Sequence, residues 1–401
     1  MHPWSLTDEH ERFRARVRAF AERVIAPRIR ELDAEERYDP TLVRAMAEEG
    51  LLGVCIPRRW GGLGLDYLSL AIACEELERV DTFPRVVLSV HLSLNSLALF
   101  QWGTPEQKER YLRPQATGAR LAAFALTEPG AGTDAAAIAT RAERVPGGYR
   151  LTGRKHWIGL ADVADHFLVF ATLDPAQRHR GIAAFLVERG WPGVRTYSIT
   201  GKLGIRAGNL GGIELDGAFV PETNRLGEEG EGFRIAMSAL DNGRYGVAAG
   251  SVGLIEACLA AAIAYCRERR TFGQEIGRHQ LVQQMIARMV AARDVGRALV
   301  YRIGWLKNEG MRHTRDVSLA KWLNCDAAFQ SAYDAVQIFG AAGVTNEHPV
   351  ERYLRNARAA VIYEGTREIH QVIQAEYALG YRDDSPVRCP LPSYPFADDA
   401  P

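Results

Sequence analysis

The stretch Ala360-Val361-Ile362-Tyr363-Glu364-Gly365-Thr366-Arg367-Glu368-Ile369 organises the rest of the sequence. Apolar residues and a tyrosine lead into the carboxylate of Glu364, and Gly365 allows a tight backbone turn directly after it. Thr366 can cap the helix that follows through Leu379. A carboxylate beside apolar residues has its charged form disfavoured, so its pKa should rise toward neutrality, as a general base for a carbon-bound proton requires. The same residues also fit a plain helix-capping turn with a solvated glutamate.

Composition and charge place the chain among ordinary globular proteins. Its 401 residues are enough for two or three domains, and 47% of them are hydrophobic and 24% charged. Lysine plus arginine equal aspartate plus glutamate at 49 each, which gives no support to a nucleic-acid or acidic-membrane partner. The six cysteines form no Cys-x-x-Cys pair and no ligand spacing with histidine, so we expect no metal site and reduced cytoplasmic thiols.

No segment of the sequence is typical of a membrane span or an export signal. No apolar run approaches the roughly 18 residues of a membrane helix. The start, from Met1 to Glu11, carries acids and no apolar stretch. We therefore predict a cytoplasmic protein without a membrane span.

The hydrophobic period divides the chain into helices, sheet and helices. From Ser5 to about Arg120 apolar residues recur at helical steps. Short apolar runs bounded by glycine, proline and aspartate then predict strands, and because no long helical period interrupts them we expect an antiparallel, barrel-like sheet. Helix returns near Gly232 and continues to about Leu379. The predicted units are a helical domain at 1–120, a β-barrel domain at 121–229, a helical domain at 230–382 and a disordered, proline-rich tail at 383–401.

Two segments beside predicted strands could hold an aromatic cofactor. The loop Glu128-Pro129-Gly130-Ala131-Gly132-Thr133 exposes backbone N–H groups, and the hydroxyls of Thr127 and Thr133 add donors for a polarised ring edge or a phosphate. It lacks the P-loop lysine and the full G-x-G-x-x-G pattern, so neither nucleotide motif applies. Trp157, in Lys155-His156-Trp157-Ile158-Gly159, offers a flat face for stacking. A plain Gly-Pro turn and a core tryptophan are the alternatives.

A basic cluster interrupts the helical period at Arg267-Glu268-Arg269-Arg270-Thr271-Phe272-Gly273-Gln274. Its guanidinium groups could bind a pyrophosphate, with Phe272 against a ring. A charge run at the C-terminus of a helix can equally be solvated and merely compensate the helix dipole.

Glycines recur along the long helix that begins near Gly232. Asp241-Asn242-Gly243-Arg244 is followed by Gly246, Gly250 and Gly253, which are three or four residues apart and therefore share a face. Because glycine costs roughly 1 kcal/mol per site in a helix, the row indicates either ligand access or close helix packing.

Together these motifs resemble the acyl-CoA dehydrogenase family over nearly the whole chain, from about Leu6 to Leu379. The resemblance rests on the order and spacing of five motifs: Leu126-Thr127-Glu128-Pro129-Gly130-Ala131-Gly132-Thr133, Trp157-Ile158, Arg269-Arg270-Thr271-Phe272-Gly273, Ala335-Val336-Gln337-Ile338-Phe339-Gly340 and Ile362-Tyr363-Glu364-Gly365-Thr366.

The resemblance implies a mainly α fold with an N-terminal helical domain, a middle β-barrel and a C-terminal four-helix bundle, assembled as a homotetramer or dimer. FAD would lie between the sheet and the bundle. The substrate would be a short, branched or cyclic acyl-CoA, and the electrons would pass to an electron-transfer flavoprotein.

The resemblance also assigns roles by position. Glu364 matches the family's catalytic base. The flavin or its chain would contact Leu126, Thr127, Thr133, Trp157, Ile158 and Gly159. The rest of the cofactor would contact Arg269, Phe272, Gln337 and Gly340 across a subunit interface, together with His279, Gln280, Thr366 and Glu368. The substrate would contact Thr133, Asp241, Arg244 and Gly365.

The implied chemistry is an α,β-dehydrogenation. Glu364 would take the pro-R α-hydrogen of the thioester as a proton, while the β-hydrogen leaves as hydride to flavin N5. Hydrogen bonds from the Glu364 backbone N–H and a flavin hydroxyl would stabilise the enolate charge on the thioester oxygen. The cofactor performs the redox step, and the protein supplies position and dielectric.

Two positions separate this chain from other members. Some carry the base directly before the arginine that is Arg244 here, but that position is Gly243, so Glu364 has no rival there. The family usually has a hydroxyl residue two after the tryptophan, where this chain has Gly159, which leaves dehydrogenase and oxidase chemistry open. A dehydrogenase or oxidase for acyl groups on an acyl carrier protein is one alternative, and a catalytically silent flavin-binding protein is another.

Overall fold

The first part of the chain is helical in the computed structural model, which describes residues 5–384 and 386–397. Side-chain caps fix the starts of two of its helices. Asp39 accepts a hydrogen bond from the Thr41 N–H, and Thr104 and Gln107 form a capping box. Turns of π-helix at Ala21–Ile25, Leu88–Ser96 and Lys108–Leu112 join neighbouring helices into longer rods. The α-helices are α1 (Asp8–Phe20), α2 (Ala26–Ala34), α3 (Pro40–Glu48), α4 (Tyr67–Glu78), α5 (Thr82–Val87), α6 (Leu97–Trp102), α7 (Pro105–Gln107) and α8 (Arg113–Ala116).

The middle of the described chain forms one mixed sheet. Its strands are β1 (Ala122–Ala125), β2 (Arg141–Val145), β3 (Gly148–Gly159), β4 (His166–Thr172), β5 (Ile182–Glu188), β6 (Val194–Ser198), β7 (Leu210–Pro221) and β8 (Arg225–Leu226). They lie in the order β6-β7-β3-β2-β4-β5-β8, with β1 paired to β4. β1 and β2 run parallel to β4, and the other ladders are antiparallel.

This strand pairing differs from the antiparallel barrel that the sequence predicts. β4 lies parallel to β1 because the β2–β3 hairpin separates them in the chain, so β4 returns in the same direction as β1. At the edges, β6 pairs with β7 and the two-residue β8 pairs with β5, and no described ladder joins the two edges. The sheet is therefore open.

Long helices form the last part. They are α9 (Gly232–Glu268), α10 (Gln280–Asn308), α11 (Thr314–Phe339), α12 (Val350–Ala360) and α13 (Arg367–Leu379), with a hairpin of β9 (Arg270–Thr271) and β10 (Gln274–Glu275) between α9 and α10. α9 is central, because it packs against α4, α10, α11 and strand β5. Its first half belongs to a core shared with the sheet and the N-terminal helices, and its second half packs in a core with α10, α11 and α12.

Two helical stretches are long and apolar enough to cross a membrane by length and composition, contrary to the prediction that no such run exists. They are Thr82–Trp102 and Gly232–Glu268. Of their apolar windows, 89% and 72% of the residues are buried inside the fold. Their apolar character is thus used in the protein core.

The predicted disorder of the tail is also corrected. Ser385 and residues 398–401 lie outside the described residues, but residues 386–397 pack against the N-terminal helices. The Tyr67 hydroxyl donates to the Pro392 carbonyl at 2.6 Å, and the Gln101 side chain donates to the Cys389 carbonyl at 2.7 Å. Phe396 is 2% exposed and packs edge-on against the rings of Tyr67 and Phe100. Proline content misled the prediction, because the backbone carbonyls of such a segment still accept hydrogen bonds and an aromatic side chain such as that of Phe396 can still be buried.

Candidate active site

Glu364 lies in the loop between α12 and α13, here called the base loop (residues 361–366). Thr366 caps α13 by accepting a hydrogen bond from the Ile369 N–H, as predicted. Glu364 itself has a φ of 55° and Gly365 a φ of 104°. A positive φ is costly for a glutamate, and such strain occurs most often at functional sites.

Two buried cations hold the backbone of the base loop. The Arg244 Nε donates to the Glu364 carbonyl at 2.9 Å, and the Lys321 Nζ donates to the Gly365 carbonyl at 2.6 Å. Asp241 pairs with Arg244 at 3.3 Å. Arg244 thus binds the base loop, and contact of Asp241 and Arg244 with substrate stays a prediction. Gly365 has no room for a side chain, because a Cβ there would lie 2.7 Å from His370 Nε2.

The carboxylate of Glu364 is buried and has an atom without a partner. Its Oε2 forms no hydrogen bond within the described residues. Burial raises the pKa of Glu364 to about 7, against the opposing attraction of Arg85, Lys321 and Arg244. The alternative interpretation, in which Glu364 is a solvated glutamate in a plain helix-capping turn, is therefore excluded. A carboxyl with this pKa can change its charge near neutral pH, as a proton-accepting base requires.

The space for this carboxylate comes from a glycine on α9. A Cβ at Gly243 would lie 2.2 Å from Glu364 Oε2 and 2.7 Å from the Leu94 side chain. Gly253, on the same helix, has a different role, since its Cβ would lie 2.0 Å from the Glu75 carbonyl of α4. Close helix packing thus explains Gly253, whereas Gly243 makes room for the Glu364 carboxylate, and ligand access along the row stays a prediction.

The glycine loop after β1 and the tryptophan on β3 are tied together. The His156 N–H donates to the Thr127 carbonyl at 3.0 Å. Trp157 lies in a β-bulge between Lys155 and Ile158, has a φ of 59° and is 57% exposed, while Ile158 is buried. The core-tryptophan alternative is therefore wrong.

The loop itself presents open backbone. A Cβ at Gly130 or Gly132 would meet no atom within 4 Å, Thr133 is exposed, and Leu126 is buried beneath. Exposed N–H groups beside a bare aromatic face fit an aromatic cofactor with polar ring edges.

A buried ion pair that the sequence reading left without a role braces this loop. Lys155 Nζ donates to Glu128 Oε1 at 2.7 Å and to the Leu126 carbonyl at 3.0 Å. Glu128 also accepts the N–H groups of Ala139 and Thr140. The signal was present, because Lys155 lies four residues after the inward-facing Leu151 and so falls on the same face of β3.

Gly159 stands where a hydroxyl residue was expected. A Cβ there would lie 3.1 Å from Val90 Cγ2. The neighbouring valine thus takes part of the space that a side chain at this position would need.

The hairpin after α9 is strongly exposed. Phe272, at its tip, is 96% exposed with a φ of 49°, and its ring packs edge-on against His279. Arg269 and Gln280 are exposed, as are Gln337 and Gly340 at the end of α11. No described hydrogen bond or ring contact joins the hairpin to Trp157 or Glu364.

Thr366 and Glu368 line a cleft on the surface beside the base loop. Its volume is about 220 Å³, and its other lining residues are Phe329, Arg358, Val361, Ile362 and Arg367. The structure thus brings Glu364, Gly365, Thr366 and Glu368 together through one short segment.

Comparison with known proteins covers most of the chain. Three family models match: acyl-CoA dehydrogenase N-terminal domain at residues 7–119, middle domain at 123–218 and C-terminal domain at 230–379. A short-chain specific acyl-CoA dehydrogenase of Clostridium acetobutylicum is 40% identical over 92% of this chain and 98% of its own.

Two solved structures share the fold closely. Butyryl-CoA dehydrogenase from Megasphaera elsdenii has a TM-score of 0.91 at 37% identity, covering 94% of this chain and 99% of its own. The other was solved in a study of the electron transferring flavoprotein of Acidaminococcus fermentans and flavin-based electron bifurcation. It has a TM-score of 0.92 at 41% identity and covers 94% of this chain and 99% of its own.

Proposed function

The chain belongs to the acyl-CoA dehydrogenase family, and we propose that Glu364 is the base with which it dehydrogenates its substrate. The protein is an FAD-linked oxidoreductase that introduces an α,β double bond into an acyl-CoA thioester and passes the electrons to an electron-transfer flavoprotein. The observation that carries the assignment of Glu364 is its buried Oε2, which has no partner in the described chain.

The groups of the base loop have separate roles in this reaction. Glu364 takes the α-proton, and its high pKa brings its proton affinity closer to that of the weakly acidic carbon. Its backbone N–H donates to no described residue and is therefore available to the thioester oxygen, where enolate charge develops. Arg244 and Lys321 bind the carbonyls of Glu364 and Gly365, so they fix the direction of the loop without binding the carboxylate.

FAD, when bound, supplies the acceptor for the hydride that leaves the β carbon. The exposed Trp157 and the open loop at Gly130 and Gly132 would hold its isoalloxazine, with Leu126, Thr127, Thr133, Ile158 and Gly159 around it. Thr366 and Glu368 would bind toward the adenosine end.

The remaining cofactor contacts come from a second copy of the chain in this proposal. Phe272, Arg269, Gln337 and Gly340 are exposed and make no described contact with Trp157 or Glu364, which fits residues that complete a neighbouring site in a homodimer or homotetramer. His279 supports Phe272 from behind, and Gln280 is exposed next to it. In this proposal the domains are residues 1–120, 121–229 and 230–382, and FAD would lie between the sheet of the second domain and the helices of the third.

Bleaching of the flavin absorbance tests this function. The purified FAD-containing protein would be mixed anaerobically with acyl-CoAs of increasing length and with the matching acyl groups on an acyl carrier protein. We expect full bleaching by at least one short acyl-CoA and recovery of the colour on addition of oxidised electron-transfer flavoprotein. Bleaching only by the carrier-protein thioesters would shift the function to the biosynthetic alternative, and bleaching by none would refute catalysis.

A further inference from the structure

The bulge in strand β3 turns Trp157 outward from the sheet. At this point the ladder between β3 and β7 sets two residues, His156 and Trp157, against the single residue Gly212. The positive φ of Trp157 is strained for a bulky side chain. Among the described residues, the ring that contacts Trp157 is that of His156, edge-on with 4.3 Å between the ring centroids. The orientation of Trp157 therefore depends on what holds His156.

Tyr197 reaches His156 from two strands away. It lies on β6, where it pairs with Gly212 of β7. Its ring crosses that glycine, because a Cβ at Gly212 would lie 2.2 Å from the Tyr197 hydroxyl oxygen. Glycine inside a strand often marks such a close approach. On the far side of β7, the Tyr197 hydroxyl lies 2.8 Å from His156 Nδ1.

Arg154 fixes the direction of this hydrogen bond. Its Nε and Nη2 both donate to the Tyr197 hydroxyl, at 3.0 and 2.8 Å. A hydroxyl group has two lone pairs and one proton. Because Arg154 occupies both lone pairs, the proton of Tyr197 goes to His156 Nδ1, and His156 carries its own proton on Nε2. Burial and the charge of Arg154 lower the pKa of His156, which favours the same neutral ring.

Fold stability gives a poor reason for this cluster. Arg154 is exposed, and exposed polar contacts contribute little to stability. The cluster also requires glycine at position 212, and glycine weakens the interior of a strand. The face of β3 that packs into the protein is the opposite one, where Lys155 is fully buried. The cluster is thus better explained by the side chain that it holds.

We propose that Arg154, Tyr197 and His156, here called the tryptophan support, hold the ring of Trp157 in place against the isoalloxazine of FAD. The inference rests on the proposed function, because that proposal places the flavin beside Trp157. All three are positioning residues, since Arg154 and Tyr197 act through His156 and His156 acts through Trp157. A ring already held in one orientation loses less rotamer freedom when the cofactor binds, so the support raises the affinity for FAD.

The variant Tyr197→Phe tests the support in the intact, FAD-containing protein. It removes the hydroxyl that joins the three side chains and keeps the ring over Gly212. We expect the dissociation constant of FAD, measured by dilution of the holoprotein, to rise about 3- to 10-fold, as for the loss of one aromatic pair. We also expect brighter fluorescence of the bound flavin, because a stacked indole quenches it. Arg195→Gln changes an exposed arginine of the same strand and is the matched control that should alter neither quantity.

A second variant reaches the support without changing any of its polar groups. In Gly212→Ala the new methyl group would collide with the end of the Tyr197 side chain, so that ring must leave its place over β7. Position 212 lies in an extended strand, which alanine tolerates. We expect the same changes in FAD dissociation and flavin fluorescence as in Tyr197→Phe, and no further change when the two are combined. Lower thermal stability with unchanged flavin fluorescence in both variants would overturn the proposal.

The variant Trp157→Leu separates this inference from the proposed function. A flavin beside Trp157 predicts brighter flavin fluorescence when the indole is removed. If Trp157→Leu has this effect and neither Tyr197→Phe nor Gly212→Ala does, the tryptophan support is refuted and the place of the flavin stands. If Trp157→Leu leaves the fluorescence unchanged, the proposed place of the flavin is refuted, and the inference with it.

Discussion

In the proposed mechanism, the protonation state of Glu364 sets the reactive fraction of the enzyme. Burial raises its pKa to about 7, which is far above the ordinary value for glutamate. Only the ionised form can accept the α-proton. We therefore expect the rate of anaerobic flavin reduction by butyryl-CoA to rise with pH and level off above an apparent pKa near 7. A rate that is flat between pH 5.5 and 8.5 would show that Glu364 is ionised throughout or that another step limits flavin reduction.

Gly243 keeps the space that the carboxylate fills. In Gly243→Ala the new methyl group would have to displace Glu364 Oε2, which lies 2.2 Å from its position. A displacement of about 1 Å can lower a rate by about 100-fold, whereas alanine favours the helix by roughly 1 kcal/mol over glycine. We expect slow flavin reduction in a protein with unchanged FAD content and thermal stability, measured by stopped-flow absorbance and by thermal unfolding. Normal flavin reduction would contradict the predicted crowding.

At the scale of residues, the position of the proposed base could be predicted from the sequence, but the residues that surround it could not. The apolar run before Glu364, the turn at Gly365 and the cap at Thr366 are local features, so they could be predicted. Arg244 and Lys321 are distant in sequence, and nothing in their own neighbourhoods indicates that they bind the carbonyls of the base loop.

The buried ion pair between Lys155 and Glu128 joins strand β3 to the loop after β1. Lys155→Met would leave Glu128 buried without its charged partner, and breaking such a pair costs about 3–5 kcal/mol. We expect lower thermal stability and loss of FAD during gel filtration, because Lys155 also holds the Leu126 carbonyl. The double variant Lys155→Met/Glu128→Gln serves as the matched control and should recover part of the stability. Full FAD retention in Lys155→Met would refute the bracing role.

Elements were predictable where their signals are local. The caps at Asp39 and Thr104 and the helical course of the chain after Gly232 follow from residues within a few positions of one another. The pairing of β1 with β4 and the open edges of the sheet depend on contacts far apart in sequence, which hydrophobic alternation does not report. The tail was misjudged because the pocket for Phe396 is formed by Tyr67 and Phe100, more than 290 positions earlier.

The whole molecule presents an exposed hairpin that a monomer does not explain. Phe272 is 96% exposed, and the arginine Arg269 is exposed beside it. If the hairpin completes the site of a second copy, Phe272→Ala should weaken both assembly and FAD retention, by about 10-fold or more in the dissociation constants. Sedimentation velocity and flavin content would measure the two effects. Leu203→Ala, which removes another exposed apolar side chain at 63% exposure, is the control and should change neither. A monomeric wild-type protein that keeps its FAD would contradict the assembly proposal.

The most direct measurement is the single-turnover rate of flavin reduction in Glu364→Gln compared with the wild type. Glutamine keeps the size of the side chain but cannot take the proton, so we expect FAD to stay bound and the rate with butyryl-CoA to fall by about 100- to 10,000-fold. The control variant Glu347→Gln changes an exposed glutamate outside the base loop, and its flavin should be reduced at the wild-type rate. A Glu364→Gln protein that reduces its flavin as fast as the wild type would contradict the assignment of the base.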